Sequence, residues 1–69
     1  MYVLIELQTN GGQTANLVTA YDNEPQAWQA FYAGCSAGAV SSVERHAFVL
    51  LKDTGITLDQ RCFDHGDTK

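Results

Sequence analysis

The chain has 69 residues, is 45% hydrophobic and carries a formal net charge of −4, with Arg45, Lys52, Arg61 and Lys69 scattered along it. A domain of this length buries only about 60% of the surface its unfolded chain exposes, so a disulfide, a metal or oligomerisation is commonly recruited. The acidic balance without a basic cluster argues against DNA or RNA as a partner. No segment approaches the roughly 18 apolar residues of a membrane span, and Val3-Leu4-Ile5 is too short and lacks a basic flank for a signal peptide, so the expected address is the cytoplasm.

Tyr2 to Gln8 sets Val3, Ile5 and Leu7 on one face against Tyr2, Leu4, Glu6 and Gln8 on the other, which is strand spacing. Asn10-Gly11-Gly12 is a hairpin signal, because Asn and Gly tolerate the positive φ that a tight turn demands. Thr14 to Tyr21 reads as the returning strand. A helix then starts at Asp22-Asn23-Glu24-Pro25-Gln26, where Asn23 and Gln26 have capping-box spacing and Pro25 sits in the first turn. It runs to about Val40. Trp28, Phe31, Tyr32, Cys35 and Ala39 make an apolar stripe at helical spacing. Beside it Ala30, Ala33, Gly34, Ala37 and Gly38 form a stripe almost without side chains. Helical Gly costs about 0.5–1 kcal/mol relative to Ala, which points to close approach of the helix's own sheet or of a ligand.

Ser42 to Lys52 is the third strand, and its run Ala47-Phe48-Val49-Leu50-Leu51 makes both faces of that strand hydrophobic. Asp53-Thr54-Gly55 supplies a turn, and Ile56 to Phe63 alternates as a fourth strand. The expected fold is α+β in the order ββαββ: a four-stranded antiparallel sheet with one helix packed on one face, residues 1–65 forming a single domain and 66–69 a frayed tail. One helix covers one face. Tyr2, Leu4, Phe48 and Leu50 are assigned to the uncovered face, an association site most simply filled by another copy, so a homo-oligomer is expected.

The stretch from Ala37 to Leu51 followed by Asp53-Thr54-Gly55, with the opening Tyr2-Val3-Leu4-Ile5-Glu6-Leu7-Gln8 and the closing Phe63-Asp64-His65, resembles a family of short uncharacterised proteins from phages and prophages of gut Firmicutes. The family pattern places an aromatic and a His before an alanine-rich helix end. Here Phe31 and Tyr32 stand at that place, and Gly34 and Gly38 interrupt the alanines. The resemblance implies phage or prophage origin and no particular activity.

Among groups able to do chemistry, His46 is expected on the helix-free face, either as a hydrogen-bonded strand residue or as part of an interface or pocket. Cys62, His65 and Asp67 lack the ligand spacing that zinc requires, so neither a metal nor a cofactor is expected. Cys35 and Cys62 read as two buried free thiols in a reducing compartment, with a disulfide between them the alternative. The turn at Gly11-Gly12 has no Lys-Ser or Lys-Thr after it and enters no helix, which argues against a phosphate cradle. Tyr21, Arg45, His46, Phe48 and Arg61 form a diffuse set that would suit either a planar anionic or nucleotide-like ligand or the rim of an interface.

No nucleophile, base and oxyanion donor are assembled, so an enzyme is not expected. Two functions fit the sequence. One is a phage accessory binding protein, a homo-oligomer that sequesters a small nucleotide-like immune signal through Arg45, His46, Arg61 and Tyr21. The other is a structural or adaptor protein of a phage tail or lysis cassette that binds another protein through its apolar sheet face.

Overall fold

A computed structural model describes residues 1–66. Strands β1 (Tyr2–Asn10) and β2 (Gln13–Tyr21) precede the helix α1 (Glu24–Ala39), and β3 (Arg45–Lys52) and β4 (Thr57–Asp64) follow it. All pairings are antiparallel and the spatial order is β2-β1-β3-β4. This is the ββαββ, α+β fold expected from the sequence. The third strand is shorter than expected at its start, because 41–44 form the connection from the helix. Of the expected tail, the Gly66 N–H donates to Glu44 O at 3.1 Å, and 67–69 lie outside the described residues.

Local chemistry sets each boundary. The β1–β2 turn is Gly11-Gly12 with φ of 62° and 82°, the left-handed pair of a two-residue hairpin turn that only glycine adopts without strain. At the helix start Asn23 Oδ1 accepts from the Gln26 N–H at 3.1 Å, satisfying one of the amides that lack an intrahelical partner. Glu24 in the first turn accepts from both Tyr2 Oη (3.2 Å) and Trp28 Nε1 (3.1 Å), which ties the helix N-terminus to the first residue of β1.

Strand register decides which side chains lie under the helix. Leu4 is opposite Leu50, Glu6 opposite Phe48 and Gln8 opposite His46, so these residues share one face. Leu4, Phe48 and Leu50 are buried there against Ala27 and Phe31. Tyr2, Leu4, Phe48 and Leu50, assigned from the sequence to the uncovered face, therefore lie on the covered one. The uncovered face carries Val3, Ile5 and Leu7 of β1 beside Leu51, Val49 and Ala47 of β3.

The physical reason lies in the glycines. A Cβ placed on Gly34 would stand 2.7 Å from Phe48 Cε1, and one on Gly38 would stand 2.6 Å from Phe48 Cε2. The two residues make a flat notch in the helix, and the Phe48 ring fills it. Ala47, Val49 and Leu51 on the opposite face have no ring to fill such a notch. The small-residue stripe is thus used for packing within the chain, and the aromatic stripe is displaced sideways: Phe31 is buried, Trp28 half-buried and Tyr32 exposed.

Gly38→Ala gains helix propensity worth about 1 kcal/mol but overpacks a ring hemmed in from both sides, at a cost of about 1–3 kcal/mol. Urea denaturation is expected to show Gly38→Ala as net destabilising. In a Phe48→Leu background the same change is expected to be less destabilising, because the nearer obstructing ring is gone and only Phe63 Cδ2, 3.3 Å from the added Cβ, remains.

Candidate functional site

Two features outside ordinary core packing are candidates for function: a polar pair under the helix, and the bare side of the sheet. The pair joins β1 to β3. His46 is 6% exposed, and its Nε2–H donates to Glu6 Oε2 at 2.6 Å. Gln8 Nε2 donates to the same oxygen at 2.8 Å. The imidazole lies against Phe48, with ring centroids 4.6 Å apart and an interplanar angle of 30°. These donors hold the Glu6 carboxyl below its ordinary range, the His46 hydrogen bond being the largest cause, opposed by partial burial.

What this pair can do chemically is narrow. Its Nε2 is occupied by Glu6, and Nδ1 is buried without a hydrogen-bond partner. Neither nitrogen is open to a substrate, as a general base requires. The geometry is that of a polar clasp between two central strands. Sequence alternation carried a signal for it, since Glu6 interrupts the row Tyr2, Leu4 just as His46 begins the row Phe48, Leu50; what was missing was the pairing of β1 with β3.

The residues considered as ligand-binding are not brought together in one chain. Tyr21 is opposite Tyr2 at one end of the sheet, and Arg45 is opposite Thr9 at the other, a separation of roughly 24 Å along the strands. Arg45 Nε lies 3.5 Å from Asp64 Oδ2, and Arg61 Nη1 lies 2.8 Å from Asp59 Oδ1, so each guanidinium already has a carboxylate partner. His46 is under the helix, not on the open face. Cys62 is opposite Ala47 and exposed on the open face, while Cys35 lies half-buried on the helix. Both are free, and the sheet separates them; the expectation of two buried thiols fails, Cys62 being exposed and Cys35 half-buried. Burial pushes the Cys35 thiol up. His65 Nε2 contacts the Gly38 carbonyl at 3.0 Å, at the end of the helix. Asp67, the third member of the weighed metal set, lies outside the described residues.

The bare side of the sheet is more extensive. Val3, Ile5, Leu7, Ala47, Val49 and Leu51 form two adjacent aliphatic rows, each residue half-buried. Val18 and Ala20 extend the surface onto β2 through their pairing with Ile5 and Val3. A shallow recess of about 350 Å³ lies along Ala47, Val49, Gln60 and Cys62. Arg45 and Asp64 stand at one end and pair with each other. No family model, curated protein or solved structure matches the chain.

The Glu6 clasp sets a pH dependence. Its folded carboxyl is held below the ordinary Glu value of 4.5, so the stability it contributes is fully present above that value and lost as pH falls through the lower folded one. Urea midpoints followed from neutral pH down into the acid limb are expected to fall less steeply for Glu6→Gln than for the parent chain. Equal slopes would show that Glu6 is not the group concerned.

Proposed function

We propose that this chain is a non-catalytic structural or adaptor protein that works as a homo-oligomer, its bare sheet face packed against the same face of a second copy. The observation that carries the reading is the pair of aliphatic rows, Val3-Ile5-Leu7 and Ala47-Val49-Leu51, left without cover by the single helix. Sheets packed face to face interdigitate such rows at about 10 Å separation.

Size and charge both favour a second copy as the occupant. Four strands of this length present a face on the order of 500 Å² per copy, so that a pair would bury about 1,000 Å², the lower bound for a specific interface. Its strand positions carry Arg45 and Asp64 as a mutually neutralised pair and otherwise uncharged side chains over β1, β2 and β3, so a two-fold contact brings no like charges together. Resemblance to small phage and prophage proteins fits an accessory role of this kind. Sequestration of a small anionic signal has less support, because Arg45 and Arg61 are each paired with a carboxylate and stand apart from Tyr21.

Sedimentation at micromolar concentration tests the reading. The parent chain is expected to sediment as an oligomer, and Val49→Lys, which places a charge in the centre of the face, is expected to lower the mass by about half. Far-ultraviolet circular dichroism establishes that the variant is folded. A parent chain that sediments as a monomer overturns the proposal.

A further inference from the structure

The two edges of the sheet differ in a way that the face does not explain. β4 is protected as edge strands commonly are: it carries Asp59, Arg61 and Asp64, and its register against β3 shifts between Leu50 and Leu51. β2 has none of these devices. Its nine residues, Gln13 to Tyr21, include no charge and no proline, and they pair with β1 in unbroken register. At its middle Leu17 is 61% exposed and Val18 58% exposed, one on each face of the strand. A long, flat, uncharged edge is a template for another strand.

The hairpin fixes which backbone groups that edge offers. In a two-residue hairpin the closing pair, here Asn10 and Gln13, exchanges both hydrogen bonds, and antiparallel pairs then alternate. Gln13, Ala15, Leu17, Thr19 and Tyr21 therefore bond inward to β1. Thr14, Asn16, Val18 and Ala20 point their N–H and C=O groups outward.

We infer that β2 pairs antiparallel with β2 of a second copy about a two-fold axis at Leu17, joining two sheets into one continuous sheet. The register follows from the outward groups. With Leu17 opposite the partner's Leu17, Thr14 meets the partner's Ala20 and Asn16 meets the partner's Val18, so every outward amide and carbonyl of those four residues is used. On the helix-bearing side Leu17 abuts its own symmetry mate in a close, non-hydrogen-bonded pair, and Ala15 meets the partner's Thr19. No charged residue is brought against another.

The helix side provides room for this contact. A groove of about 470 Å³, lined by Tyr21, Gln26, Gln29, Ala30 and Ala33, opens beside β2, so the two helices approach across the joined edge with alanines toward the seam. This edge contact is separate from the face contact proposed above, and either stands without the other. Both together give a dimer of dimers with two kinds of two-fold interface.

Two experiments test the edge contact. Asn16→Pro removes one outward N–H that β1 does not use, at a polar position outside the aliphatic rows of the face, a substitution edge strands tolerate. It is expected to lower the sedimenting mass of the parent chain by about half, and of Val49→Lys, whose sheet face is already disrupted, to that of a monomer. The second uses Leu17→Cys in a Cys35→Ala, Cys62→Ser background treated with diamide. Opposed Cα atoms in a non-hydrogen-bonded pair stand about 4.5 Å apart, within disulfide range, so the chains are expected to crosslink to covalent dimers. Ala15→Cys, whose symmetry mate lies roughly 14 Å away along the strand, is expected not to. Failure of Leu17→Cys to crosslink preferentially over Ala15→Cys overturns the inference, as does a folded Asn16→Pro chain with the parent mass. Loss of the Val49→Lys effect alone would instead overturn the face contact.

Discussion

The seating of the Phe48 ring between Gly34 and Gly38 is the contact on which the rest of the structure depends. A sixteen-residue helix meets a sheet that is apolar on both sides and has material to cover only one of them. The glycine notch accepts a planar ring and nothing bulkier, and Phe48 lies on only one face of β3. Once that ring is in place, register carries Leu4, Leu50 and His46 under the helix with it, and the aliphatic rows Val3-Ile5-Leu7 and Ala47-Val49-Leu51 are left outside.

Placing His46 under the helix requires a partner for its imidazole. Glu6 supplies it from the neighbouring strand, and Gln8 holds the carboxylate from the other side. Burial of a polar ring beside Phe48 is thus offset by a short charge-assisted hydrogen bond. The same pairing occupies His46 Nε2, and Nδ1 is buried. The two exposed features of the sheet complement each other: the face is flat and aliphatic, and the β2 edge is uncharged and unbroken.

Element order and most boundaries, the start of β3 excepted, were legible in the sequence because each rests on local chemistry: the Asn10-Gly11-Gly12 turn, the Asn23 cap, Pro25 in the first turn and the alternation of β1. The choice of covered face was not. Both stripes of β1 and both faces of β3 are apolar enough to be core, and Val3-Ile5-Leu7 is the more uniform row. The deciding contact joins residues of α1 and β3 through shape, a flat ring against missing side chains, and periodicity carries no record of shape. Arg45, His46, Arg61 and Tyr21 look related by residue type, yet the antiparallel register sends Tyr21 and Arg45 to opposite ends and His46 beneath the helix. The edge distinction between β2 and β4 was written in their charges, and it acquired meaning only once the strand order placed both at the rim.

Methyl-detected nuclear magnetic resonance with a soluble paramagnetic agent tests most directly that the bare face is covered by another copy. Leu50, which is fully buried, and Ile56, which is 59% exposed, serve as internal references for protected and accessible methyl groups. At micromolar concentration the account predicts that Ile5, Val49 and Leu51 are protected as Leu50 is, and that Val49→Lys exposes Ile5 and Leu51. Broadening of Ile5, Val49 and Leu51 in the parent chain to the level of Ile56 would contradict it.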